Sequence, residues 1–167
     1  SNWGGSWAVD NGELKSTSAG NNYLNSATMP GVNTETWFSY KANVSSPTQM
    51  YVAFRFDSWN DRVLLQILDD NIRLYQKDGG TGSNLDIDWT AASEQGVWYD
   101  VYIKDEGSDI KVYRKKRGYE EDYQLILETA NCTMTDGDEI LIQMVDADEW
   151  RLDNIDVAYT TRSLGGD

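Results

Sequence analysis

The sequence predicts an all-β fold, a two-sheet antiparallel β-sandwich or jelly roll, and three observations carry that expectation. Short β-rich runs recur along the chain with polar turns between them. Within the runs, apolar and polar side chains alternate with a period of two, which points one set into a core and the other out of a sheet. No helical period is sustained, since the one helical candidate, Thr90 to Gln95, is too short to form a layer. About a dozen short strands without helices bury their apolar faces by stacking two sheets.

The runs fall at residues 6–9, 12–16, 22–28, 35–44, 49–57, 62–68, 72–77, 85–89, 97–104, 109–115, 123–129, 138–145 and 149–158. Turn signals separate them at Asp10-Asn11-Gly12, Pro30-Gly31, Asp78-Gly79-Gly80, Glu106-Gly107 and Asp136-Gly137. In residues 35–44, Phe38, Tyr40, Ala42 and Val44 share one face, while Trp37, Ser39 and Lys41 share the other. Residues 49–77 read as a three-stranded meander. Its first run sets Met50, Val52, Phe54 and Phe56 against Tyr51, Ala53, Arg55 and Asp57. Its second, Arg62 to Leu68, is apolar at nearly every position, as a central strand covered on both faces is. After Asp69-Asp70-Asn71, Ile72, Leu74 and Gln76 alternate with Arg73, Tyr75 and Lys77. Val97, Tyr99, Val101 and Ile103 then oppose Trp98, Asp100, Tyr102 and Lys104, and Ile110 and Val112 alternate with Lys111 and Tyr113. Spacing is uneven and no repeat is present. The expectation is one sandwich domain over residues 1–167, with a core of about 6–158 and a tail of 159–167.

A chain of 167 residues buries about two-thirds of its unfolded surface as one domain. No run approaches the roughly 18 apolar residues of a membrane span. Without a signal peptide or initiator Met, the chain is expected to be a mature or excised fragment. The net charge of −14 speaks against nucleic acid and anionic membranes, which need clustered positive surface. Arg114-Lys115-Lys116-Arg117 runs straight into Glu120, Glu121 and Asp122 and reads as a hairpin tip. Cys132 is alone, so it makes no intrachain disulfide and reads as a small buried hydrophobe. The absence of His excludes Ser–His and Cys–His nucleophile systems, and with one Cys it speaks against a transition metal. Abundant Trp and Tyr with little Lys suits a secreted or cell-surface protein that faces carbohydrate. Asn43-Val44-Ser45 and Asn131-Cys132-Thr133 fit the glycosylation sequon, but chance supplies such matches in a chain this rich in Asn, Ser and Thr.

Four stretches carry a family resemblance. Trp7-Ala8-Val9-Asp10-Asn11-Gly12-Glu13-Leu14 looks like an opening strand and turn, and Val52-Ala53-Phe54-Arg55-Phe56 like an inner strand ending in F-R. Trp98 to Ile103 followed by Asp109 to Tyr113 looks like a paired W-x-x-V-x-V and I-x-V-Y unit, and Leu152-Asp153-Asn154-Ile155-Asp156-Val157 like a closing strand. In this order the chain resembles the concanavalin A-like, laminin-G-like jelly rolls, and in pattern the bacterial carbohydrate-binding modules among them. The resemblance spans residues 7 to 157. It implies a structural calcium held by Asp153, with Asp10 or Glu13 from the opening turn. The fold hosts lectins, enzymes and adhesion domains alike, so function rests on a site.

Sugar recognition combines an aromatic face, on which the C–H side of a pyranose stacks, with amide, carboxylate and guanidinium groups that hold hydroxyls. Trp59, in Asp57-Ser58-Trp59-Asn60-Asp61, has polar neighbours throughout and no strand phase to bury it. Alternation points Arg55 and Tyr75 outward beside Arg62 and Arg73. The expected glycan site is therefore Trp59 for stacking, Arg55 and Tyr75 for hydroxyl or carboxylate contacts, and Asp57, Asn60 and Asp61 for orientation. Trp89 is a second platform, while Trp7, Trp37, Trp98 and Trp150 lie in strand-like sequence and read as structural. The negative charge mildly disfavours strongly acidic polysaccharides unless local arginines dominate the field. An active glycosidase needs two carboxylates about 5–10 Å apart. Asp86, Asp88 and Glu94 only partly match the clustered acids of jelly-roll glucanases. The leading expectation is a non-catalytic glycan-binding domain of an extracellular protein. A cell-surface adhesion or assembly domain without a sugar site, with neighbouring domains of a larger surface protein as partners, is the alternative, and a glycoside hydrolase or polysaccharide lyase the third.

Overall fold

The computed structural model describes residues 3–4, 7–16, 22–26, 33–42, 49–68, 70–120, 122–145 and 150–159. The tail from residue 160, the Pro30-Gly31 turn and the sequon at Asn43 lie outside the described residues.

In chain order the strands are β1 (Trp3–Gly4), β2 (Trp7–Asp10), β3 (Glu13–Ser16), β4 (Asn22–Ser26), β5 (Thr34–Ala42), β6 (Gln49–Ser58) and β7 (Asp61–Ile67). They continue with β8 (Ile72–Asp78), β9 (Thr81–Asp88), β10 (Trp98–Glu106), β11 (Asp109–Lys116), β12 (Gln124–Thr129), β13 (Glu139–Val145) and β14 (Trp150–Tyr159). Each expected run becomes a strand. β1 goes beyond the expectation because two residues are too few to show a period, and β9 starts earlier because Thr81 to Asn84 are polar on both faces. The helical candidate at Thr90 to Gln95 is irregular chain.

The strands form two antiparallel sheets, ordered β1-β4-β13-β6-β7-β8-β9 and β12-β11-β10-β5-β14-β3-β2. Between them lies one core. Met50, Val52, Phe54, Val63, Leu65, Ile67, Ile72, Leu74, Ile140, Ile142 and Met144 come from the first sheet. Phe38, Tyr40, Tyr99, Val101, Ile103, Ile110, Val112, Leu127 and Leu152 come from the second. Alternation within each strand delivers these residues, and the burial of such side chains at roughly 25 cal/mol per Å² drives the two sheets together.

Two departures from simple alternation shape the molecule. β7 is buried on both faces from Val63 to Ile67. Leu64 belongs to a second cluster, with Ala53, Phe56 and Leu141, that Tyr51 and Tyr75 cover on the outer face of the first sheet. In β6, Ala53 pairs with Leu64 but Arg55 pairs with Val63, so the pairing slips at Phe54. Such a bulge reverses the inward and outward phase of the residues beyond it.

Arg55 is therefore a correction to the sequence reading. It does not face outward: it is fully buried between the sheets. Its Nε donates to Asp105 Oδ2 at 2.6 Å and its Nη2 to the other carboxylate oxygen, forming a bidentate pair across the core. Its remaining donors meet the carbonyls of Met134 and Gly107 and, at 3.5 Å, the Cys132 sulfur. Every direction of the guanidinium is used inside the sandwich, so Arg55 cannot reach a surface ligand. Cys132 is buried beside it, and burial raises its thiol pKa above the usual value.

Candidate functional site

Residues that face each other across an antiparallel pair stand about 5 Å apart, so ladder partners on one face form rows. On the outward face of the first sheet one row runs Gln143, Tyr51, Gln66, Arg73 and Ile87, through β13, β6, β7, β8 and β9. The neighbouring row runs Leu141, Ala53, Leu64, Tyr75 and Asn84. A polar row thus borders an apolar one, with an aromatic ring in each.

Gln66 and Gln143 are only 7% and 8% exposed although they face outward. Amides this enclosed are held still by their surroundings. Arg73 Nε donates to Gln66 Oε1, and the Tyr51 hydroxyl donates to Gln49 Oε1. Tyr75 lies across β9, where a Cβ at Gly82 would overlap its hydroxyl. Glycine at that position is what lets the ring lie down. The face presents amide donors and acceptors, a planar guanidinium and two half-buried rings over an apolar floor.

The hairpin joining β6 to β7 ends this face. Trp59 is 48% exposed, edge-on to Phe56 with centroids 5.4 Å apart, and the Arg62 guanidinium lies 5.3 Å from its ring centre. Asn60 and Asp61 tie this hairpin to the next one. Lys77 Nζ donates to Asn60 Oδ1 at 3.0 Å, Gly80 N to the Asn60 carbonyl at 3.0 Å, and Gly79 N to Asp61 Oδ1 at 2.7 Å. Asp57 is exposed beside them.

The predicted site residues therefore divide. Tyr75 joins the polar row's face, and Trp59, Asp57, Asn60 and Asp61 sit together at its hairpin end. Trp89 is 67% exposed but comes after β9 at the opposite end of the meander, so it shares no surface with Trp59. Tyr51, Gln66, Gln143 and Asn84 were missed. Alternation could have found Tyr51 and Gln66; Gln143 needed the pairing of β13 with β6.

Two carboxylates of the expected calcium set already face arginines. Glu13 Oε2 accepts from Arg151 Nη1 at 2.6 Å, and Asp153 bonds its own neighbour Asn154 and lies 4.0 Å from Arg117 Nη1. The Asp10 side chain lies outside the described residues. Among the described residues no three His, Cys, Asp or Glu side chains are grouped to hold a metal.

No family model and no curated protein matches this sequence. Among solved structures, the chain is similar to the carbohydrate-binding module CBM66 from Bacillus subtilis, at 17% identity and a TM-score of 0.72 over 92% of this chain and 91% of that one. It is also similar to the VIP36 exoplasmic/lumenal domain in its Ca2+/Man3GlcNAc-bound form, at 7% identity and a TM-score of 0.67 over 96% and 86%. A third is the GH43 protein BlXynB (K247S mutant) from Bacillus licheniformis, at 10% identity and a TM-score of 0.66, over 92% of this chain but 34% of that one. The chain thus spans about a third of that protein's length. Such identities speak to fold alone, and the fold is the two-sheet antiparallel jelly-roll sandwich that the sequence predicts.

Proposed function

We propose that this protein is a non-catalytic carbohydrate-binding domain of an extracellular protein, and that it holds a sugar on the outward face of its first sheet. The observation that carries the reading is the row Gln143, Tyr51, Gln66 and Arg73, with Tyr75 beside it. Enclosed amides, one of them tied to a guanidinium, keep fixed positions, and a preordered polar row loses little freedom when a ligand arrives. Paired donors and acceptors beside a ring suit vicinal hydroxyls on a pyranose. That a carbohydrate-binding module and a Man3GlcNAc-bound domain share the fold over most of their length supports the reading.

The acids weighed for hydrolysis are engaged by other groups of the chain, which favours binding over catalysis. Asp86 accepts from Ile87 N and Glu128 N, Asp88 from the Thr90 amide and hydroxyl, and Glu94 from Lys116. No helix among the described residues is long and apolar enough to cross a membrane. An assembly role is the second reading, favoured by Val9 and Leu125, which are 75% and 46% exposed on the two edge strands of the second sheet.

A glycan array on the folded protein tests the proposal. A defined hit is expected, weakened about tenfold or more by Gln66→Ala or Arg73→Ala, because each removes hydrogen bonds worth about 1.4 kcal/mol or more together. Trp59→Ala tests the hairpin end, and loss of affinity there extends the site along the sheet. A blank array from folded protein, with self-association at low concentration, moves the assignment to assembly.

A further inference from the structure

The second sheet carries a face of different chemistry. One row across it runs Arg117, Trp98, Lys41, Arg151 and Lys15: Arg117 N donates to the Trp98 carbonyl, Trp98 pairs with Lys41, and Arg151 pairs with both Lys41 and Lys15. The next row is Lys115, Asp100, Ser39 and Asp153. A third is Leu125, Tyr113, Tyr102, Trp37 and Asp156.

The four-residue basic run splits in the fold. Arg114 turns to the Ala91 carbonyl at 2.7 Å and the Tyr40 hydroxyl, while Lys115 and Arg117 join this face. Five cations in the first two rows meet the carboxylates Glu13, Asp100 and Asp153, so the strip is net positive on a chain of charge −14. Several of these cations are held in place. Lys41 and Arg117 lie 4.8 and 5.1 Å from the centre of the Trp98 ring, Lys115 lies 4.9 Å from Tyr123, and Arg117 bonds Asp100 at 2.5 Å. Cations fixed against rings lose less freedom when an anion arrives.

The third row is a stack. Trp37 and Tyr102 have centroids 5.1 Å apart at 12°, and Tyr102 and Tyr113 are 5.5 Å apart at 22°. Four residues of strand separate Lys41 from Trp37, about 14 Å. A ligand laid along β5 and β10 meets cations at one end and, at the other, an aromatic strip bordered by Glu35 and Asp156.

We propose that this face is a second binding site, for an oligosaccharide carrying a carboxylate, with the acidic unit on the Lys41 and Arg117 row and uncharged ring surface over Trp37, Tyr102 and Tyr113. On that path the acidic unit meets Lys41 and Arg117 alone, which matches a glycan that carries its carboxylates sparsely. Duplex nucleic acid places one charge about every 1.7 Å and calls for a far denser positive surface. The general expectation against acidic polysaccharides gives way here because charge is local. This site does not depend on the first-sheet proposal.

The test is titration calorimetry of the full chain with a galacturonic acid oligosaccharide, its methyl ester and a single-stranded oligonucleotide. The expected result is binding of the acid that weakens with salt and falls about tenfold or more in Lys41→Glu and in Tyr113→Ala, each with an unchanged thermal transition. The methyl ester should bind at least about tenfold more weakly. Arg73→Ala, on the other sheet, should leave this binding intact, which separates the two sites. Absence of binding to the acid by folded protein, indifference to Lys41→Glu, or equal affinity for the ester overturns the proposal. Tighter binding of the oligonucleotide also overturns it, in favour of a general polyanion surface.

Discussion

Arg55 stands where a period of two assigns a surface residue, yet it is one of the largest fully buried side chains among the described residues. A buried ion pair adds little over an apolar pair of equal volume, because desolvation offsets the Coulomb gain, but removing one partner strands the other charge. Arg55→Ala should therefore cost about 3–5 kcal/mol in urea unfolding. Arg55→Met combined with Asp105→Leu should recover most of that loss. A single substitution costing under about 1 kcal/mol would show that water reaches the pair and that it does not tie the sheets together. At this scale the sequence misled because nothing in Ala53-Phe54-Arg55-Phe56 marks the bulge. Tyr75, by contrast, was placed outward by alternation and lies outward, since β8 pairs with β7 in unbroken register.

Elements were more legible than single side chains. The meander β6-β7-β8 came from alternation and two turns, and the doubly buried β7 from its nearly continuous apolar run. Packing across strands is what the sequence did not show. Ser39 on β5 donates to Asp100 on β10 at 2.7 Å, and Arg117 beyond β11 donates to the same carboxylate. Burial alone would raise the Asp100 pKa, but the Arg117 and Ser39 hydrogen bonds outweigh it and carry the group below its ordinary 3.8. A carboxylate with a depressed folded pKa contributes stability that is complete above the unfolded value and disappears as pH falls through the folded one. Acid unfolding tracked between pH about 5 and 2 should thus show a shallower loss in Asp100→Asn than in the parent protein. Identical slopes would mean that the β5–β10–β11 junction holds together without this charge. On the same face, burial and the Glu35 hydrogen bond push the Tyr102 hydroxyl up to about 12, so that ring stays neutral and stacked through the physiological range.

At the scale of the whole molecule, two sheets divide the surface into faces of unlike chemistry, an amide and tyrosine face on one side and a cationic, aromatic face on the other. The proposed scheme routes neither through a metal, and Glu13 and Asp153 face arginines. Removing calcium with a chelator should leave both the thermal transition and glycan affinity unchanged; a fall of several degrees would favour the calcium that the resemblance implied. What the sequence by itself determined was the all-β class, the strands and the inward set of side chains outside the bulge that turns Arg55 in and Phe56 out, because alternation and turn chemistry are local and each strand declares its own period. The tertiary structure alone decided which strands are neighbours. Gln143 reaches Tyr51 only because β13 inserts between β4 and β6, and Arg151 reaches Lys41 only because β14 lies between β5 and β3. A binding surface is made of rows across strands, and rows join residues far apart in sequence whose meeting depends on sheet order and bulges, which leave no local mark on the chain.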